Sequence, residues 1–152
     1  MYENKCWLIG VFLLLSVTAF AQDNGLGVRV LSLPNVAGVG ATFKHMIAGK
    51  MSYEGTVGFD KNIEYTIVKA DFNFFQKPIG IQGLDWYMGG GALSWFSTNY
   101  FEIAPEITLG LDWDMVSLPI GFFFDGSFYV PLANDNVHAQ WQLGAGIRVL
   151  LE

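Results

Sequence analysis

The last stretch of the chain, from His138 to Leu151, alternates between apolar and polar side chains. A period of two is typical of a β-strand whose two faces meet different environments. These 14 residues exceed the roughly 5–6 of an average strand in soluble proteins. They are long enough for a tilted strand to cross a bilayer core of ~30 Å. The pattern therefore predicts a membrane-spanning strand that closes a barrel.

The composition agrees with this prediction. The chain is 52% hydrophobic and 16% aromatic, with a mean hydropathy of +0.35, yet no run after residue 21 approaches 18 consecutive apolar residues. A chain that is apolar in bulk but never continuously apolar satisfies a bilayer only by alternating. About 131 residues after position 21 suffice for one domain.

Residues 1–21 read as a cleaved signal peptide. A polar start carrying Lys5 precedes an apolar core and the sequence Ala19-Phe20-Ala21, a small-x-small cleavage pattern. The segment is too short for a transmembrane helix, and Cys6 lies too far upstream to be a lipoprotein cysteine. The exported chain, residues 22–152, then has no cysteine for disulfides and keeps a net charge of −6. That charge argues against nucleic-acid binding.

Turn residues divide the remainder into eight strands joined by short connections, without a helical pattern between them. The predicted strands are Leu26–Ser32, Gly40–Ile47, Tyr53–Phe59, Ile63–Phe75, Leu84–Phe96, Tyr100–Leu111, Pro119–Tyr129 and His138–Leu151. This is an all-β fold, an eight-stranded antiparallel up-and-down transmembrane β-barrel. Counted from a periplasmic N-terminus, connections 48–52, 76–83 and 112–118 are periplasmic, and 33–38, 60–62, 97–99 and 130–137 are extracellular. The facing of the fifth strand stays open, because Gly89-Gly90-Gly91 blurs its alternation.

The polar files carry charges that we expect inside the barrel. These residues are Arg29, Lys44, Lys69 and Arg148 among the cations, and Glu54, Asp71, Glu102, Glu106 and Asp125 among the anions. Eight strands make a barrel that side chains can fill, so we expect no open pore. Unpaired buried charges are costly, so near-balance predicts a structural network of ion pairs. For Arg148 the expected partner is Glu54, Glu102 or Glu106; a proton or ion path is the functional alternative.

Large aromatic residues cluster near the predicted strand ends, where amphipathic rings meet lipid headgroups. The predicted girdle consists of Trp86, Trp95, Trp113, Trp141, Tyr53, Tyr87, Tyr100 and Tyr129. The alternative is that they are core aromatics of a soluble sandwich.

Candidate catalytic groups are few. A barrel-embedded lipid hydrolase would need a histidine beside a serine and an acid; His138 follows the strand that carries Asp125 and Ser127, but no serine is close to it in sequence. Asp112 and Asp114 flank Trp113 in a predicted turn, where such acids are usually solvated rather than cation-binding. The three consecutive glycines lack the helix start or Lys-Ser/Thr of a phosphate site. We therefore predict no catalytic residue, cofactor or metal.

Several segments together resemble a known family. They are Gly25–Val30, Gly40–His45, Tyr53–Gly55, Gly83–Ala92 and Gly144–Val149. They look like the small outer-membrane β-barrel proteins of the OmpA/OmpX-like type, over essentially the whole exported chain. The resemblance implies a monomeric eight-stranded barrel in outer-membrane lipid, with periplasmic termini and no catalytic residue to carry over.

The C-terminus departs from this family. Such barrels commonly end on an aromatic residue that is read by the barrel-assembly machinery, whereas this chain ends Leu150-Leu151-Glu152. Either the signal is degenerate or its recognition is weakened. The main rival for the whole chain is a secreted soluble barrel of the lipocalin kind that binds an apolar ligand. That rival predicts apolar side chains inside and charges outside.

Overall fold

The computed structural model describes residues 24–34, 37–47, 51–132 and 138–151. These residues form eight strands: β1 (Asn24–Ser32), β2 (Ala37–Met46), β3 (Ser52–Asp60), β4 (Thr66–Pro78), β5 (Leu84–Ser97), β6 (Tyr100–Asp114), β7 (Ile120–Tyr129) and β8 (Gln140–Leu151). Among the described residues, no helix is long and apolar enough to cross a membrane. The predicted signal peptide, parts of three connections and Glu152 lie outside the described residues.

Each strand pairs antiparallel with its neighbours in sequence, and β8 returns to pair with β1. Val28 lies opposite Ile147 at this closing seam, which runs from Asn24–Leu151 to Ser32–Leu143. The barrel is therefore closed, so no edge strand is left unpaired. The prediction of an eight-stranded antiparallel up-and-down barrel is confirmed.

The two ends of the barrel differ in what they carry. We call the end with Asn24, Leu151 and the connections from β2 to β3, from β4 to β5 and from β6 to β7 the terminal end. The opposite end, with connections 33–36, 61–65, 98–99 and 130–139, is the loop end.

Alternation sorts the side chains of each strand onto two faces. On neighbouring strands, Ile107 and Phe128 point outward and are 65% and 70% exposed, whereas Thr108 and Ser127 point inward and are each 1% exposed. The same rule holds for the apolar and polar files predicted for β2, β3, β6 and β8. This arrangement is the reverse of the one that a lipocalin-like barrel requires.

A bulge changes the alternation in β4. The register with β5 shifts between Asn73 and Phe75, so that Phe74 and Phe75 both point outward and Gln76 points inward. A bulge inserts one unpaired residue and re-aims the side chains beyond it. The strand therefore continues to Pro78, beyond the predicted end at Phe75.

The structure settles the facing of β5. Tyr87 and Leu93 are buried in the lumen, and Trp86 lies on the outer face, where its ring is 4.8 Å from that of Phe75. Odd-numbered residues of β5 therefore face inward. Gly91 allows the close backbone approach expected of this stretch, because a Cβ there would overlap the Ala70 carbonyl oxygen.

The start of the fourth strand also differs from the prediction. The prediction started the fourth strand at Ile63, but that residue lies in a turn with a positive φ of 60°. The Asp60 carboxylate accepts hydrogen bonds from the backbone N–H groups of Asn62, Glu64 and Tyr65, which holds the turn closed. β4 consequently begins only at Thr66.

The loop end of the lumen is filled by apolar side chains. We call this set the apolar plug; it consists of Leu31, Leu33, Ile67, Leu93, Ala104 and Tyr129, with Trp95 packed against it. The Trp95 and Tyr129 rings lie 5.4 Å apart. Burial of each large aliphatic side chain is worth about 1.5–3 kcal/mol. The alternation of the sequence does not predict this plug.

Candidate functional site: the charged lumen

The structure places all nine residues of the predicted network inside the barrel. Arg29, Lys44, Glu54, Lys69, Asp71, Glu102, Glu106, Asp125 and Arg148 are each at most 6% exposed. They do not form a single chain of contacts. Eight of them fall into three groups, the first and third of which meet where Arg148 lies 3.9 Å from Glu54, and Glu102 stands apart.

Arg29 is the centre of the first group. One of its terminal nitrogens lies 2.6 Å from Glu54 Oε1, and the other donates to Asp125. The Tyr87 hydroxyl donates to the same Asp125 carboxylate at 3.0 Å. Gly144 leaves room for this pair, since a Cβ there would lie 2.8 Å from both Arg29 Nε and Asp125 Oδ1. The guanidinium is thereby held between two acids from distant strands.

Lys69 is the centre of the second group. Its ammonium lies 2.9 Å from Asp71 and 2.7 Å from Glu106. It also donates to the hydroxyls of Ser127 and Thr108, at 3.1 and 3.3 Å. One buried cation therefore neutralises two buried acids, which is the arrangement that makes a buried charge tolerable.

Gln142 completes this group from the other side. Its side-chain amide donates to Glu106 Oε2 at 2.8 Å. Glu106 thus accepts from a cation on β4 and from an amide on β8. Glu106, on β6, therefore joins β4 and β8, which lie on opposite sides of the barrel.

The third group lies at the terminal end and includes Asp112, which the sequence analysis placed in a solvated turn. That expectation is wrong: β6 continues through Asp114, and Asp112 points into the lumen, 2% exposed. Lys44 pairs with its Oδ2 and also donates to Gln76 at 3.4 Å. Alternation from Glu102 onward carries every even-numbered residue of β6 inward, and this was the signal for Asp112.

Arg148 has partners that differ in part from the predicted ones. Its Nη2 lies 3.6 Å from Asp112 Oδ1 and 3.9 Å from Glu54 Oε2. Of the three expected acids, only Glu54 lies near Arg148. Glu106 is bound by Lys69, and Glu102 accepts from Tyr100 at the loop end. The guanidinium also packs over the Phe123 ring, 4.2 Å from its centroid, a cation–π arrangement.

Glu102 stands apart from the cations. It accepts a hydrogen bond from the Tyr100 hydroxyl at the loop end, and no salt bridge joins it to a cation of the described chain. With Asp112 and Asp60 added, the buried charged side chains of the described residues comprise four cations and seven acids. The balance is thus more acidic than the predicted four against five.

Part of the predicted aromatic girdle is wrong. Tyr87 and Tyr129 are buried in the lumen, and Trp95 packs on the apolar plug. Tyr100 belongs to the inward file of β6, although it is exposed at the mouth. Closeness to a strand end does not reveal facing, and in β5 the glycines concealed it.

The other predicted girdle residues lie on the outer face. Trp113, Trp141 and Tyr53 are exposed, and Trp86 packs against Phe75. Tyr53 lies against Phe72, with ring centroids 5.0 Å apart.

Within the described part of the chain, the residues weighed for a lipid hydrolase do not come together. The Ser127 hydroxyl bonds to Lys69 and Thr108, and His138 is exposed outside the strands. Among the described residues no three His, Cys, Asp or Glu side chains are placed to hold a metal ion. The chemistry that this site supports is charge pairing between strands.

The fold is shared with solved structures. The crystal structure of the N-terminal β-barrel domain of Pseudomonas aeruginosa OprF matches with a TM-score of 0.66 at 13% identity, covering 86% of this chain and 98% of that one. A transmembrane β-barrel designed de novo matches with a TM-score of 0.60 at 12% identity, covering 87% of this chain and all of the other. No protein-family model and no curated protein matches the sequence. The class of structure is therefore that of transmembrane β-barrels, and the resemblance to small outer-membrane barrels is confirmed at the level of the fold.

Proposed function

We propose that the protein is an integral outer-membrane β-barrel with a structural or surface-interaction role, without an open pore or catalytic activity. One observation carries the proposal: the barrel has apolar side chains outside and charged ones inside. Val30, Leu109 and Phe124 are exposed on the outer face, whereas Arg29 and Lys69 are buried. In water this distribution is unfavourable, but in a bilayer it is the stable one.

The filling of the lumen supports the proposal that there is no open pore. Arg29 and Lys69 occupy its middle, each 1% exposed and each bound to two acids. The apolar plug fills the loop end. A barrel of this size has just enough interior for its own side chains. Purified protein in planar bilayers should give no ion conductance; stepwise currents would contradict a closed lumen.

A structural role is favoured by the loop end. With the termini in the periplasm, as the resemblance implies, this end faces outward, and its connections at 61–65 and 98–99 are short. They leave little surface for a large binding site. In this proposal the barrel is a monomer, delivered by the barrel-assembly machinery and surrounded by outer-membrane lipid.

The lack of catalysis rests on the surroundings of Ser127. Its neighbour Lys69 is bound to two acids and its other neighbour is the Thr108 hydroxyl, so neither is placed as a free general base. Replacing His138 by alanine should leave the membrane lipid profile unchanged. A changed profile would favour the lipid hydrolase.

Membrane insertion is tested by heating. Folded transmembrane barrels resist unfolding by detergent until they are boiled. Membrane-extracted protein should therefore change its gel mobility on heating. A homogeneous protein purified in buffer without detergent would instead support a soluble barrel.

A pair of substitutions separates lipid from water around the barrel. Ile107 is outward-facing and 65% exposed, so Ile107→Arg should lower the stability of a membrane barrel by about 2–4 kcal/mol at mid-depth. Ile63→Arg, in an exposed turn, is the matched control and should change little. Equal tolerance of both substitutions would contradict a lipid-facing wall.

A further inference from the structure

The terminal end of the lumen opens into a recess of about 360 Å³. Its charged lining comes from Lys44, Asp85, Asp112, Asp114 and Arg148, and Leu150 lies at its edge. The volume is at the lower end of the range for small-molecule sites, about 300–1,000 Å³. The apolar plug lies at the opposite end, so this recess is open at one end of the barrel only.

Arg148 is the first unusual feature of the recess. It is 2% exposed, and none of its three side-chain nitrogens has a hydrogen-bond partner among the described residues. The nearest acid oxygens, on Asp112 and Glu54, lie 3.6 and 3.9 Å away, beyond hydrogen-bond distance. Its flat face rests on Phe123, which leaves the N–H groups at its edge unsatisfied. A buried donor without an acceptor is costly.

Asp114 is the second feature. Its Oδ1 is buried and has no hydrogen-bond partner within the described chain, and the side chain lines the same recess. Gly121 lies between the two groups: a Cβ there would overlap Asp114 Oδ1 and would lie 3.3 Å from Arg148 Cγ. The absence of a side chain at Gly121 therefore leaves room for the Asp114 carboxylate beside the stem of Arg148.

The remaining charges of the recess restrict what can bind between Arg148 and Asp114. Lys44 is already paired with Asp112, and Gln76 donates to Asp85 at 2.8 Å. A simple anion on Arg148 would be repelled by Asp114 and by the two nearest acids, Asp112 and Glu54, and a simple cation on Asp114 would be repelled by Arg148. A molecule that carries both charges at short separation avoids both penalties.

We propose that the recess binds a small zwitterion, such as an amino acid or the end of a short peptide. Its carboxylate accepts from the Arg148 guanidinium, which is suited to bidentate carboxylate binding. Its ammonium donates to Asp114. The binding chemistry depends only on the barrel, whereas access from the periplasm rests on the proposed orientation.

Three dipeptides distinguish a zwitterion from a singly charged ligand. Residues 22–152 in lipid nanodiscs, where both ends of the barrel are accessible, are titrated by calorimetry with alanyl-alanine, N-acetyl-alanyl-alanine and alanyl-alanine amide. Alanyl-alanine should bind at least about tenfold more tightly than either blocked form, because each blocked form loses one charged contact. Equal binding of the acetylated form, or no binding of any dipeptide, would overturn the proposal.

Two variants test the assigned residues. Asp114→Asn should weaken alanyl-alanine binding about tenfold and remove its advantage over the acetylated form. Gly121→Ala should weaken binding at least about tenfold, because its Cβ would displace the Asp114 carboxylate. Glu64→Gln, which removes an exposed carboxylate at the loop end, is the control and should bind normally.

The zwitterion-binding proposal and the membrane-barrel proposal can be refuted independently. Heat-dependent gel mobility checks the fold of each variant, and Asp114→Asn keeps the test decisive if Gly121→Ala does not fold. Normal affinity in folded Asp114→Asn would refute the role of this carboxylate. If the protein proved soluble, the same titrations would be made in buffer. Dipeptide binding would then be measured even though the membrane proposal was refuted.

Discussion

The two parts of the lumen fill the same narrow barrel by opposite means. At the loop end, the apolar plug packs Leu31, Ile67 and Leu93 together without a charge among them. From the middle to the terminal end, Arg29 and Lys69 each hold two acids. Apolar packing is non-directional, and loss of one member costs only its burial and a cavity. A charge network fails differently, because loss of one partner leaves another charge buried and unpaired.

The charged part should therefore be the more sensitive of the two. Lys69→Met removes the cation that serves Asp71 and Glu106 and should lower the free energy of unfolding by about 3–5 kcal/mol. Urea unfolding of the barrel in lipid vesicles, followed by tryptophan fluorescence, measures this loss. Lys61→Met in an exposed turn is the control. A loss below about 1 kcal/mol would mean that the network contributes no more than a surface ion pair.

The effect of a substitution in the apolar plug should depend on how much side-chain volume it removes. Leu93→Ala should cost about 2–5 kcal/mol, since the side chain is fully buried and the cavity cannot close completely. Leu93→Met, which nearly conserves volume, should cost less than about 1.5 kcal/mol. If Leu93→Met were as destabilising as Leu93→Ala in the same unfolding assay, the apolar plug would be as sensitive to substitution as the charge network.

This contrast also explains which parts of the lumen could be predicted from the sequence. Strict alternation identified charged residues such as Lys69 and Glu106, because a charge among apolar neighbours marks the inner file clearly. The plug gave no such signal. Leu31 shares the inward file with Arg29, but an apolar residue on a polar file carries no period of its own.

The facing of the aromatic residues was mispredicted for a related reason. Tyr87 and Trp86 are adjacent in sequence yet occupy opposite faces, and an amphipathic ring is compatible with either lipid headgroups or a polar lumen. Only the pairing of β5 with its neighbours decides between them. The Phe74–Phe75 bulge was likewise invisible to a pattern of period two.

Where the charged part packs against aromatic rings, space should matter as much as charge. A Cβ at Gly110 would overlap the ring of Tyr87, whose hydroxyl donates to Asp125. Gly110→Ala should therefore cost about 1–3 kcal/mol through overpacking. Gly55→Ala is a matched control, because a Cβ at Gly55 meets nothing within 4 Å; it should stay within about 0.5 kcal/mol of the parent. Equal effects of the two alanines on urea unfolding would show that the Tyr87 ring can yield without loss of the Asp125 contact.

The smallest effect is expected at Arg148. Arg148→Leu should lower the free energy of unfolding by about 1–2 kcal/mol, less than Lys69→Met, because the acids near it keep closer partners. Glu54 retains Arg29 at 2.6 Å, and Asp112 retains Lys44. Urea unfolding in vesicles compares the two variants directly. If Arg148→Leu were as damaging as Lys69→Met, the guanidinium would be neutralising an acid that Arg29 and Lys44 do not satisfy. A modest loss would instead show that Arg148 contributes less to the stability of the barrel than Lys69 does, as expected of a residue that is available to a ligand.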